Sequence, residues 1–142
     1  MKRDRLETLL HVRDLVEKRR LAEKAAAQRE HDAAVAASRA AVAARAALLP
    51  AAGSATDPGG LVVDRLVSLA LQDAVVTAQL AEENAERTVA IAERRRTLAA
   101  IERRSVERLA ERREHEAARE DAKVDGRRLD EAGLTGWRRR RA

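Results

Sequence analysis

One short segment holds most of what can interrupt a helix in this chain. Both prolines and half of the six glycines lie within residues 50–60. Proline disfavours the helical conformation in the residue before it, and glycine lets the backbone reverse at little steric cost. We therefore predict a first helix over about residues 2–49, a turn over 50–60 and a second helix from about residue 61, with Asp57 suited to its N-cap.

The composition favours long helices over a compact globule. Of the 142 residues, 37% are charged and 1% are aromatic, and alanine supplies much of the 45% that are hydrophobic. Large cores depend on aromatic and branched side chains, whereas Ala, Glu, Lys, Leu and Arg in a helical period are typical of coiled coils. The predicted fold class is all-α, an antiparallel two-helix coiled-coil hairpin with a longer second helix.

Apolar stripes predict where the two helices touch. The stripe of the first helix passes from leucine to alanine: Leu6, Leu9, Leu10, Val12, Leu15, Val16, Ala22, Ala26, Ala33, Ala37, Ala40 and Ala44. The stripe of the second helix is most apolar over residues 61–80 and continues through Leu80, Arg87, Ile91, Arg94, Leu98 and Ile101. Folding about residue 55 puts residue i near residue 110 minus i. The arginines are expected to lie along this seam or to serve a partner.

The second helix outlasts the first. Beyond Ser105 the first helix offers nothing to pair with, yet the helical pattern continues to about residue 132, where Gly133 suits a C-cap. Some 26 unmatched residues would project about 40 Å as an overhang at the terminal end. A flexible basic tail is expected over residues 133–142, in which Trp137 is either part of a frayed terminus or the anchor of a docking peptide.

Enzyme and metal chemistry find little support in the residues. Cysteine is absent, and His11, His31 and His115 are scattered along the chain. Glu111 and His115 have the spacing of a helical metal pair, but their charged neighbours favour an exposed face. No glycine-rich loop has the lysine that a phosphate site would use. We expect no enzyme activity, no cofactor, no metal and no small-molecule substrate.

Charge and hydropathy bear on partners and location. Apart from the four arginines at 138–141, the 29 basic residues nearly balance the 24 acidic ones. The tail alone would give non-specific, salt-sensitive binding to nucleic acid, so no specific nucleic-acid partner is expected. No apolar signal segment opens the chain, and Arg39 and Arg45 interrupt the Ala-rich run over 33–49. These features predict a soluble, intracellular protein.

Two stretches resemble the FliJ-type flagellar export proteins of the bacterial type III apparatus. Residues 5–14, Arg-Leu-Glu-Thr-Leu-Leu-His-Val-Arg-Asp, are similar to the Leu-rich start of that family. Residues 106–132 end in Leu-Asp-Glu-Ala, similar to the Leu/Met-Asp-Glu/Asp ending of these proteins. The length, the hairpin position and the longer second helix agree with the family. The chain departs from it where many relatives carry aromatic residues, having instead Leu66, Val67, Leu69 and Leu71.

The resemblance implies a non-enzymatic cytoplasmic protein that associates peripherally with the flagellar export apparatus at the inner membrane. Such proteins resemble the central stalk of rotary ATPases: their terminal end enters the export ATPase hexamer and promotes its assembly and activity. Contacts with the cytoplasmic domain of the export gate and with export chaperones are also implied. The implied contact residues are Leu6, Leu10, Arg13, Leu109, Arg112, Arg113, Glu116, Arg119, Leu129 and Asp130.

A charged helical hairpin is also compatible with other functions. The alternatives are a generic coiled-coil scaffold, a stalk subunit of another rotary or secretion ATPase, and a nucleic-acid-binding protein that uses the arginine tail. Binding to a membrane surface is a further, minor alternative, because the helices lack a broad aromatic and basic face.

Overall fold

Two helices account for almost the whole chain. The computed structural model describes the backbone of residues 2–141 and the side chains of residues 5–50 and 53–141. Helix α1 spans Lys2–Ala52 and helix α2 spans Pro58–Arg141, and no strand occurs within the described backbone. The helices pack antiparallel, so the predicted all-α two-helix hairpin with a longer second helix is confirmed.

Asp57 caps α2, as the sequence predicts. The Gly60 N–H donates to Asp57 Oδ2 at 3.0 Å, and the Leu61 N–H donates to the Asp57 carbonyl at 3.0 Å. Pro58 occupies the first helical position, where a missing N–H removes no helical hydrogen bond. Helix α2 therefore begins three residues earlier than the predicted start at 61.

The predicted end of α1 at residue 49 is wrong, because α1 continues through Pro50 to Ala52. Proline lacks the N–H that would bond to the preceding turn and its ring crowds the carbonyl four residues earlier, which weakens the helix at this point, while the two residues after it keep their N–H groups. The chain reversal is therefore confined to residues 53–57.

Replacing Gly60 by alanine is expected to weaken the hairpin by about 1 kcal/mol, although alanine is the better helix former. A Cβ at Gly60 would lie 2.6 Å from the Ala55 Cβ and 2.8 Å from Asp57 Oδ1, so the turn or the cap must shift. The neighbouring Gly59→Ala is the control, since its Cβ would meet only Asp57 Oδ2 at 3.4 Å. Urea unfolding followed by circular dichroism measures both variants. Equal stabilisation by the two alanines would contradict this account of the turn.

The chain divides into two compact units, which are described separately. The turn unit comprises Leu15–Ala99, and the terminal unit comprises Met1–Asp14 with Ala100–Ala142. The seam of the turn unit is narrow: the buried side chains among its described residues are 5–8% exposed, and they are Ala27, Ser38, Val75, Ala92 and Ala99. Because most of these side chains are small, the two helices of this unit can approach closely.

The seam of α1 lies on a different face from the predicted stripe. Ala33, Ala37 and Ala40 are exposed, and the next residues along, including Ala34, Ser38 and Ala41, are half-buried or buried. A shift of one residue rotates the face by about 100°. Alanines occupy both faces, so the apolar pattern of α1 alone cannot distinguish them.

The predicted seam of α2 lies on the outer side of the hairpin. The residues assigned to it are exposed: Leu80, Arg87, Ile91, Arg94, Leu98 and Ile101. The observed seam instead alternates steps of four and three through Leu71, Val75, Ala78, Glu82, Ala85, Val89, Ala92, Arg96 and Ala99. Arg87 and Arg94 therefore do not interrupt the seam. The arginines that border it in the turn unit are Arg20 and Arg96, whose side chains are 35% and 37% exposed.

The register also differs from the prediction. Lys24 Nζ lies 2.6 Å from a carboxylate oxygen of Glu93, so residue i faces about residue 117 minus i, not 110 minus i. The loop explains the difference, because the Ala55 N–H donates to Asp64 Oδ2 at 3.3 Å. The loop thus runs alongside the first turns of α2, and these turns extend past the end of α1. The shift is about seven residues, which is one heptad.

The ion pair between Lys24 and Glu93 predicts a pH-dependent stability. The Lys24 ammonium, with Arg96 beside it, holds the pKa of the Glu93 carboxyl below its usual value of 4.5. A lowered pKa in the folded state adds stability above pH 4.5, and this stability is lost as the pH falls through the folded pKa. Glu93→Gln is therefore expected to be less stable than the parent at about pH 7 and to converge with it at about pH 3.

Urea unfolding at the two pH values tests this prediction. The control is Glu83→Gln, because Glu83 pairs with Arg87 at 3.8 Å on an exposed surface and its removal should change stability little. A stability difference for Glu93→Gln that persists unchanged at the lower pH would contradict the role of the charge.

Candidate partner-binding site

The first turns of α1 pack against α2 in the terminal unit. Leu6 and Leu10 are half-buried, and Arg13 Nη1 forms an ion pair with Glu102. The Nε atom of Arg13 is buried without a hydrogen-bond partner. This pair sets the local register, in which Leu6 and Leu10 lie near the turn of α2 that contains Ala110.

A groove opens between these two helix segments. It has a volume of about 790 Å³ and is lined by Leu6, Glu7, Leu10, Ala110, Arg113, Glu114, Glu116, Ala117, Ala118 and Asp121. The leucines and alanines give it apolar surface, while four carboxylates and one guanidinium supply charge. An apolar groove with an acidic excess suits an amphipathic helix that carries basic residues on its flanks.

Helix α2 continues well past the groove. From residue 122 to Arg141 every residue is exposed except Gly126 and Gly136, which are half-buried. We call residues 122–141 the extension; its length is about 30 Å at 1.5 Å per residue. Local ion pairs support it, among them Lys123 with Glu120 at 2.7 Å and Arg128 with Asp125 at 3.7 Å. Each such pair adds only a few tenths of a kcal/mol to helix stability. Because nearly all its residues are exposed, the extension buries little area within its own chain.

The predicted helix end near residue 132 is wrong. Helix α2 runs through 133–141, and no glycine within the described residues, Gly133 included, has the positive φ of a C-cap. The last turn contains four arginines, which interact favourably with the negative end of the helix dipole. The Arg141 guanidinium also lies 4.3 Å from the Trp137 ring centre, a cation–π contact within the helix. Trp137 is therefore a helical side chain, and it is 53% exposed.

The structure brings some of the predicted contact residues together. Leu6, Leu10, Arg113 and Glu116 line the groove, and Arg13 pairs with Glu102 in the same unit. The other predicted residues are exposed along α2 outside the groove: Leu109, Arg112, Arg119, Leu129, Asp130 and Trp137.

Sequence reasoning missed six residues of the groove, Glu7, Ala110, Glu114, Ala117, Ala118 and Asp121. The seven-residue step from Ala110 to Ala117 was a usable signal, because it continues the spacing of the seam. The remaining groove residues are too similar to other charged positions to be picked out from the sequence.

No protein-family model, curated protein or solved structure matches this chain. The resemblance to FliJ-type proteins accordingly stays a prediction that rests on the residues quoted for it.

Two further properties concern other kinds of site. No group of three or more His, Cys, Asp or Glu side chains within the described residues is placed to hold a metal ion. Helix α1, from Arg5 to Pro50, contains an 18-residue window of mean hydropathy 1.3, of which 6% is buried. By length and composition alone this helix could cross a membrane, a property that a core helix or a signal sequence can share.

Proposed function

We propose that the protein is a non-enzymatic component of a bacterial flagellar type III export apparatus, cytoplasmic and bound peripherally to the apparatus at the inner membrane. In this proposal the terminal unit acts as a stalk that enters the export ATPase hexamer and promotes its assembly and activity. The cytoplasmic domain of the export gate and export chaperones are the further proposed partners. The finer assignment to flagellar export depends on the resemblance at residues 5–14 and 106–132.

The observation that carries the stalk role is the extension of α2 beyond α1. Over residues 122–141 the helix exposes side chains on every face, including Leu129, Leu134 and Trp137 at 53–73%. A helix that buries little in its own chain can gain packing from a surrounding partner. A ring of subunits offers such surroundings on all sides, whereas a flat surface would cover one face only.

The charge pattern suits loose engagement in a ring. Acidic and basic residues are interspersed over residues 123–131, and some are paired within the helix, as Lys123 is with Glu120, while the last turn is purely basic. Exposed pairs of this kind contribute at most about 1 kcal/mol each, so affinity would come from many weak contacts. We therefore expect binding that weakens as ionic strength rises.

The groove supplies a second contact in the same unit. Its acidic excess comes from Glu7, Glu114, Glu116 and Asp121 around half-buried Leu6 and Leu10. An amphipathic, basic helix from the ATPase, the gate or a chaperone would satisfy both the apolar and the charged parts of this groove.

The proposal is tested by adding the purified protein to the export ATPase of the same organism. ATP hydrolysis, hexamer formation and co-purification are measured at low and high salt. Stimulated hydrolysis and more hexamer at low salt are the expected results. No change in either quantity, together with no co-purification, would remove the stalk role.

The same assay separates the alternatives. Stimulation of a different rotary or secretion ATPase, with no effect on the flagellar one, would indicate that the protein is a stalk subunit of that other ATPase. Salt-sensitive binding to DNA that disappears when the arginines at 138–141 are replaced by alanine would show the non-specific tail effect.

A further inference from the structure

Helix α2 carries a second apolar stripe in the turn unit, on the side that faces away from α1. Its members follow alternating steps of four and three residues, and they are Val62, Leu66, Leu69, Asp73, Val76 and Leu80. The five apolar members are 41–61% exposed. We call these six residues the outer stripe. Steps of four and three are the spacing of a coiled-coil seam, so α2 offers one seam to α1 and a second to solvent.

We propose that the outer stripe binds the outer stripe of a second copy of the chain, with the two α2 helices antiparallel about a twofold axis near residue 71. The resulting homodimer goes beyond the stalk role, because it uses residues of the turn unit and requires no other protein.

The spacing of the stripe fits this arrangement. With the axis near residue 71, Val62 faces Leu80 of the other copy, Leu66 faces Val76, and Leu69 faces Asp73. Every member thus faces another member of the stripe. Two of these three pairs contain only apolar residues, and the third joins Leu69 with Asp73. A twofold interface requires such self-complementarity, since the same patch is used on both copies.

Charge selects the antiparallel orientation. On the faces of residues 62–80 that point away from α1, the charged side chains are Arg65 and Asp73, which have opposite signs. The antiparallel arrangement places Arg65 of each copy within about one helical turn of Asp73 of the other. A parallel pairing in register would instead put Asp73 against Asp73 inside an apolar seam, at a cost in stability.

The flanks of the stripe are also compatible with self-association. One flank contains Val63, Ala70 and Thr77, which are exposed and uncharged. The other contains Arg65 with Gln72 and Gln79. Like charges therefore do not meet along either flank of the pair.

The size of the patch predicts a reversible dimer. The outer stripe with Val63 exposes roughly 300 Å² of apolar surface. This area is the typical burial energy of these side chains divided by about 25 cal/mol per Å² and reduced to their exposed fractions. Monomeric proteins seldom expose contiguous apolar patches larger than a few hundred Å². Burying this area on two copies removes about 600 Å² of apolar surface from water, less than stable specific interfaces bury, so we expect a weak dimer with a dissociation constant in the high micromolar range.

Light scattering and sedimentation equilibrium over a range of protein concentrations test the proposal. The parent chain should shift from monomer to dimer, and Leu69→Lys should raise the dissociation constant at least about tenfold. Leu98→Lys is the control, because Leu98 is 60% exposed on α2 and lies outside the stripe. Circular dichroism checks that both variants fold. A parent chain that stays monomeric up to about 1 mM, or equal loss in both variants, would overturn the proposal.

A charge exchange tests the orientation. Arg65→Asp and Asp73→Arg should each weaken the dimer by about tenfold, because each creates a like-charge contact between copies. The double variant restores opposite charges and should return to within about threefold of the parent. A double variant as weak as the single ones would overturn the antiparallel register.

Cross-linking tests the same register independently. The chain contains no cysteine, so single cysteines can be introduced without background. With a short bismaleimide reagent, Ala70→Cys should cross-link to itself, and Val62→Cys should cross-link to Leu80→Cys in a mixture but not to itself. Efficient self-linking of Val62→Cys would indicate parallel helices. Parent chain that stays monomeric in solution but binds lipid vesicles through this stripe would replace the second copy with a membrane surface.

Discussion

Ending the chain after Asp121 is expected to reduce the stimulated hydrolysis of the export ATPase to the rate of the ATPase alone. The deletion removes the extension, whose side chains are exposed on every face, and leaves all ten residues that line the groove. If the stalk works by presenting a helix to the ring, the contacts that promote assembly disappear with that helix. The prediction depends on the proposed function and is measured with the hydrolysis and hexamer assays.

A shorter deletion is the matched control. Ending the chain after Trp137 removes the arginines of the last turn but keeps most of the extension. It should retain more stimulation than the deletion after Asp121, with a weaker dependence on salt. Circular dichroism should show that both shortened chains remain helical. Full stimulation by the chain that ends at Asp121 would mean that the extension is not the working part.

Val75→Asp is expected to destabilise the turn unit by about 3 kcal/mol, a large fraction of the stability of a small fold. Val75 is 5% exposed and is one of the few buried side chains of the seam. The substitution loses the burial of a valine and places a carboxylate in an apolar position. Urea unfolding followed by circular dichroism measures the change in the free energy of unfolding.

Ala74→Asp is the control for this substitution. Ala74 precedes Val75 on α2 but is exposed, so its replacement should cost only the difference in helix propensity, about 0.5–1 kcal/mol. Similar losses for the two variants would mean that Val75 does not lie in the contact between the helices.

The narrow seam links stability with the two proposed interactions. Among the described side chains of the turn unit, four of the five buried ones are alanine or serine, while many leucines and valines remain exposed. Alanine buries little area, so this seam contributes modest hydrophobic stabilisation. The larger apolar side chains are left on the outside, where a partner or a second copy can bury them.

The groove shows which residues of a candidate site can be predicted from the sequence pattern and which cannot. The resemblance predicts Leu6, Leu10, Arg113 and Glu116 as contact residues, and all four line the groove. Ala117 and Ala118 could not be distinguished from the many other alanines in the sequence. They line the groove because of their position relative to Leu6 and Leu10 of the other helix, which the sequence alone does not give. The roles of all these residues in binding a partner stay predictions.

The sequence by itself determined the helices and the place where the chain reverses. Proline and glycine are concentrated in one segment, and Asp57 lies where its side chain can cap the Gly60 N–H. These are local effects that act within a few residues, so they can be inferred from neighbouring residues alone. The ends of the helices were less certain for the same reason: Pro50 and Gly133 weaken a helix locally, and each helix nevertheless continues past them.

Only the tertiary structure decided which faces meet and in which register. Apolar residues occupy more than one face of each helix, so their period fits several seams. The ion pair of Lys24 with Glu93 and the hydrogen bond of the Ala55 N–H to Asp64 join positions 69 and 9 residues apart in the chain. Contacts of this kind depend on both helices at once, which is why the period of α2 from Leu80 to Ile101 predicts a seam on a face that the structure leaves exposed.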